Sequence, residues 1–131
     1  MENIVDRLDE FQDQIDELLG LVSDDKTSGL AEILPTISEM VTSLLTLYSQ
    51  AHNKEIKAET DLLLVFKAFV KGDPSLNAVR DNVREIVYYQ NCLAENREDA
   101  LPSNPERMAV RTVQHIYFYL RSRLEQEELL D

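Results

Sequence analysis

Two sets of side chains in this 131-residue chain have types and spacings suited to chemistry, and they carry opposite charge. Asp6, Glu10, Asp13 and Glu17 recur at three- and four-residue steps beside Asp9 and Asp16, and Arg7 is the one base among nine acids in residues 1–25. On a helix those steps stack carboxylates on one side, where each exposed like-charge pair costs roughly 0.2–0.5 kcal/mol. The repulsion must be offset by a basic partner surface, by Arg side chains from elsewhere in the chain, or by solvent and the positive end of the helix dipole. The second set is Arg107, Arg111 and His115 at successive four-residue steps, with Tyr117 close behind. One helix face then presents two guanidiniums and an imidazole, either to solvent and salt bridges or to an anionic ligand.

The stretch Arg111-Thr-Val-Gln-His115-Ile-Tyr117 resembles the Arg…His-x-Tyr motif of HEPN-type helical ribonucleases. The resemblance implies that Arg111 and His115 act on a scissile phosphate and an attacking hydroxyl, with Tyr117 beside them and two chains combining to form the site. It covers seven residues, and three residues separate Arg from His where that family has four to six. That difference turns the pair by about 100° around a helix. The acids invite another comparison: all-α nucleotide pyrophosphohydrolases hold magnesium with Glu and Asp on two facing helices, and Glu10, Asp13 and Glu17 would then face Glu55 and Glu59. A di-iron carboxylate bundle needs Glu-x-x-His on two helices, and neither His52 nor His115 has an acid three residues before it. The single Cys92 excludes an internal disulfide and reads as a small buried residue. The sequence has no Gly-rich phosphate loop, no Cys/His zinc spacing and no Ser-His-Asp set, so neither a cofactor nor a metal is expected.

The elements that must position these groups are helices. Ile4, Leu8, Phe11, Ile15, Leu18 and Val22 form a seam of alternating four- and three-residue steps, which predicts a helix over 2–22 packed in a bundle. A polar loop at 23–29 follows. The next helix, beginning near Ser28 or at Pro35, buries Ile37, Val41, Leu44, Leu45 and Tyr48. No Gly or Pro interrupts 36–71, which as one helix would span roughly 54 Å. A break is expected near 50–54, keeping each helix as long as its neighbours. From Leu62 to Val70 the only charge is Lys67, which predicts a helix apolar on every side and therefore central. Gly72-Asp73-Pro74 and Asn104-Pro105 each end one element and cap the next. Between them Leu76, Val79, Val83, Ile86, Val87 and Leu93 define one stripe. Ala109, Val113, Ile116, Tyr117, Leu120 and Leu124 define the last, and 125–131 reads as a fraying acidic end. The consecutive aromatics Tyr117, Phe118 and Tyr119 span more arc than one stripe buries, so a ring is expected at the surface.

Composition sets the outer bounds. Hydrophobic residues make up 44% of the chain, with only 3 Gly and 4 Pro, and the apolar pattern is helical throughout. One all-α domain over 1–131 is predicted, a four- to five-helix up-and-down bundle. The net charge of −12 opposes direct binding to nucleic acid or to an anionic membrane. No window approaches the ~18–20 uncharged apolar residues of a membrane span. The first residues lack the basic start and apolar core of a signal peptide, so a cytoplasmic location is expected. The favoured reading is a non-catalytic acidic protein-binding module, dimeric, acting as a small regulator, adaptor, immunity or chaperone-like protein. Its Asp6, Asp9, Glu10, Asp13, Asp16 and Glu17 would engage a basic surface on a protein partner. The alternatives are a helical phosphoryl-chemistry enzyme, HEPN-like ribonuclease or nucleotide pyrophosphohydrolase, and structural self-assembly through the first helix.

Overall fold

The seam of the first helix packs as its spacing predicts, with Leu8, Phe11, Ile15, Leu18 and Val22 buried along α1 (Ile4–Ser23). The computed structural model describes residues 3–23 and 29–130. The start expected at Glu2, most of the polar loop after α1 and the last acid, Asp131, lie outside the described residues. Among those described, four more helices complete an all-α bundle without strands: α2 (Leu30–Ala51), α3 (Leu62–Val70), α4 (Arg80–Ala94) and α5 (Pro105–Gln126).

The centre of the bundle is the pair α2 and α5, which pack more extensively than any other two helices. Ile37, Val41 and Leu45 from α2 meet a core that includes Val110, Val113 and Ile116 from α5, all of them fully enclosed. The expectation that 61–71 forms the central helix is therefore corrected. α3 is only nine residues long and lies against α2 and α4, burying Leu62, Val65, Phe66 and Phe69 while Leu63, Leu64 and Lys67 face solvent. A short helix on the edge of a bundle is covered from one side, and three consecutive leucines sweep about 200° of arc, more than one side covers.

The long interval from α2 to α3 breaks where a break was expected, with α2 ending at Ala51 and His52 following as its C-cap. Residues 54–61 form no helix. This stretch carries the chain back along α2, bringing Glu59 and Thr60 beside Ser38, Glu39, Thr42 and Ser43. α3 then runs in the same sense as α2, and the Tyr48 and Phe69 rings meet edge-on at 5.8 Å near their shared end. Lys54 secures the return by donating from Nζ to the carbonyls of Phe69 at 2.8 Å and Lys71 at 2.5 Å. Those are orphan acceptors at the C-terminus of α3, where a cation also suits the helix dipole.

Other local signals place themselves with small differences. α2 starts at Leu30, so Pro35 sits inside the helix instead of opening it. By length and mean hydropathy α2 would suffice to cross a bilayer, although it carries Glu32 and Glu39 and half of its apolar window is buried in this core. Asp73 caps as predicted, its carboxylate accepting from the Ser75 amide, but what it opens is a 3-10 helix, Pro74–Val79, that leads into α4. Asn104 precedes Pro105 in a left-handed conformation and makes no side-chain cap. Residues 125–130 do not fray: Glu127 is held by four side-chain contacts described below, and Leu129 and Leu130 pack against the core.

Candidate functional site

The six acids of α1 are all exposed, and their positions fan them over about 120° of the helix. α5 lies alongside α1, and its Arg121 reaches the row at one point, donating to Asp9 Oδ1 at 3.0 Å. Asp16 accepts from Gln12 at 2.9 Å within the helix. Glu10 and Glu17 instead face α2, where two depressions share Gln14 and Thr36 and so form one groove along the α1–α2 seam. Their volumes are about 240 and 290 Å³. Glu10 and Glu39 flank the first depression above Phe11 and Met40, with Arg7 as the only base. Glu17 and Glu32 flank the second, above Leu18, Leu21 and Ile33.

The groove exists because α1 and α2 touch only lightly, α1 leaning mainly on α5. Its acids come from two helices, giving a negative rim over apolar side chains that are largely covered, with Leu21 the exposed hydrophobic among them. Sequence reading found Glu10 and Glu17 but missed Glu32, Glu39 and the half-exposed Leu21. The available signal was the position of Glu32 and Glu39 off the buried stripe of α2, seven residues apart and therefore on one face.

Arg107, Arg111 and His115 are exposed on the outer face of α5. Tyr117 is buried on the inner face, about 200° round from His115, and its hydroxyl accepts from Arg121 Nη1 at 2.5 Å. The three residues of the ribonuclease-like motif therefore do not converge. Glu55 and Glu59 lie in the non-helical return and not on a helix facing α1. Among the described residues no three His, Cys, Asp or Glu side chains cluster as metal ligands would. Cys92 is buried, and of the late aromatics Tyr88 and Phe118 reach the surface.

A second polar cluster closes the bundle where α2 and α5 end. The Tyr48 hydroxyl donates to both Glu127 carboxylate oxygens, His52 Nε2 lies 3.1 Å from Oε1, and Arg123 Nη2 lies 3.3 Å from Oε2. The same guanidinium donates to Asp73 Oδ2 at 3.1 Å and, through Nη1, to the hydroxyls of Ser75 and Tyr119. Burial pushes the Glu127 carboxyl up, but hydrogen bonds from Tyr48, His52 and Arg123 outweigh it and hold Glu127 below the usual glutamate range. Burial, reinforced by the Glu127 contact, pushes the Tyr48 hydroxyl well up. These residues come from the ends of α2 and α5 and from the 71–75 turn, and no local pattern in the sequence linked them.

No family model matches this chain, and no curated protein or solved structure matches it either.

Proposed function

We propose that this protein is a non-catalytic binding module, of regulator, adaptor, immunity or chaperone-like type, that takes a basic amphipathic segment of a protein partner in the α1–α2 groove. The supporting observation is the coincidence of charge and shape: Glu10, Glu17, Glu32 and Glu39 line a groove floored by Phe11, Leu18, Ile33 and Met40. A partner helix with Lys or Arg beside an apolar stripe would set the stripe against the exposed Leu21 and pair its bases with the rim. Asp6 and Asp13, on the outer shoulder of α1, would steer the approach electrostatically. The ribonuclease reading loses support because Tyr117 faces the core, away from Arg111 and His115.

The test is affinity capture from the native lysate with the wild type and an Asp13→Lys/Glu17→Lys/Glu32→Lys variant, at low and high salt. All three positions are exposed, so the variant should melt like the wild type. A partner released by salt and absent from the variant supports the reading, whereas capture that ignores both changes removes it.

A further inference from the structure

The misplaced expectation for α3 points to a second surface. Leu63 and Leu64 are 43% and 50% exposed, and Tyr88 on the adjacent α4 is 48% exposed. Leu63, Val87 and Tyr88 border a groove of about 510 Å³ together with Arg84, Asn91 and the partly buried Glu85, larger than either depression beside α1. Bases flank these apolar groups. Lys67 stands one turn beyond Leu63, and Arg80 and Arg84 precede Tyr88 along the same face of α4. All three are exposed, and none has an ion pair with a described residue. Residues 62–91 hold four bases and three acids in a chain of net charge −12. Two of those acids are engaged internally, Asp73 by Arg123 and Glu85 by Thr112.

We propose that the α3–α4 face docks an acidic amphipathic segment of a protein partner, seating apolar side chains on Leu63, Leu64 and Tyr88 and carboxylates against Lys67 and Arg84. At physiological salt the screening length is about 8 Å, so Lys67, Arg80 and Arg84, with Asp81 and Glu85 beside them, set the potential that a docked segment meets more than the acids of α1 do. A second copy related by two-fold symmetry is a poor occupant, because an isologous contact lays this basic-rimmed patch on itself. Nucleic acid is a poor occupant too, since phosphate offers nothing to the leucines and the molecule as a whole repels it. With the acidic groove on α1–α2, the protein would be an adaptor with two faces of opposite preference.

The experiment is fluorescence anisotropy at about 0.15 M salt, using a labelled synthetic Leu/Glu amphipathic helix of about 18 residues, or five turns. Control peptides replace its Leu by Ser or its Glu by Lys. The wild type should bind the Leu/Glu peptide, and Lys67→Glu/Arg84→Glu and Leu63→Ser/Leu64→Ser should each weaken it about tenfold or more. Their melting temperatures should hold, because every changed side chain is exposed. Glu17→Lys/Glu32→Lys should leave binding to this peptide unweakened, which separates the two faces. The proposal falls if the Ser or Lys peptide binds the same face equally well, or if neither α3–α4 variant weakens binding. It falls equally if sedimentation shows a wild-type dimer that Leu63→Ser/Leu64→Ser dissolves, because a second copy then covers the face.

Discussion

The Tyr48 hydroxyl lies 3.0 Å from each carboxylate oxygen of Glu127, tying the last turn of α2 to the residue just beyond α5. Seventy-nine positions separate the two in sequence. Replacing Glu127 by Gln removes the charge shared by Tyr48, His52 and Arg123 and leaves partly buried donors poorly matched. The expected loss is about 1–3 kcal/mol. For a chain of this size each kcal/mol moves the midpoint by roughly 2–8 °C. Tyr48→Phe should lose less, about 1 kcal/mol. Thermal unfolding followed by circular dichroism measures both, and an unchanged Glu127→Gln midpoint would show that the cluster does not hold this end together.

Glu127 also predicts an acid limit to stability. Its folded pKa is depressed, as is that of Asp73, which the Ser75 hydroxyl and Arg123 hold below the usual aspartate range against a smaller effect of burial. A carboxyl lowered on folding contributes its stability above the unfolded pKa, about 4, and loses it as pH falls through the folded value. Urea midpoints should therefore stay level from neutral pH to about 5 and decline below that. Glu127→Gln should decline less steeply, and parallel acid slopes for the two proteins would contradict the assignment.

Core and edge should respond differently to the same kind of truncation. Ile37 and Leu45 are fully enclosed in α2, so Ile37→Ala or Leu45→Ala should cost about 2–5 kcal/mol through lost burial and a residual cavity. Leu64→Ala, in the most apolar run of the sequence, should stay within about 0.5 kcal/mol. Equal losses in urea unfolding would return α3 to the centre of the fold.

Lys54 should matter locally. With nine residues, α3 is too short to persist without tertiary support, and Lys54 satisfies two carbonyls at its end. Lys54→Met keeps the stem and removes the donors. Native-state hydrogen exchange should then quicken in α3 while amides in the middle of α2 and α5 change little. Uniform quickening would mean that the return segment is coupled to the whole bundle.

These contrasts mark how far the sequence could be read. Period 3.6 in the apolar residues located α1, α4 and α5, and Asn104-Pro105 located the start of α5, because those signals are local; Asp73-Pro74 marked the 3-10 turn that precedes α4. The place of α3 was not local. Hydrophobicity says how much apolar surface a segment carries but not which neighbours arrive to cover it, so Leu63 and Leu64 were read as core. Glu127 was read as a frayed acid for the same reason, its partners lying in α2 and in the 71–75 turn. Of the acidic groove, the α1 half was visible from spacing. The α2 half depended on how loosely two helices pack, which no pattern encodes.

The preference of α1 for α5 over its sequence neighbour α2 also bears on the order of assembly. α2, the non-helical return, α3 and α4 can pair through short separations, whereas α1 must wait for a helix roughly a hundred residues later in the chain. Long-separation contacts raise contact order and form late. The most densely charged helix would thus remain undocked while the rest condenses, its like charges keeping nascent chains apart during the interval when apolar surface is most open to aggregation.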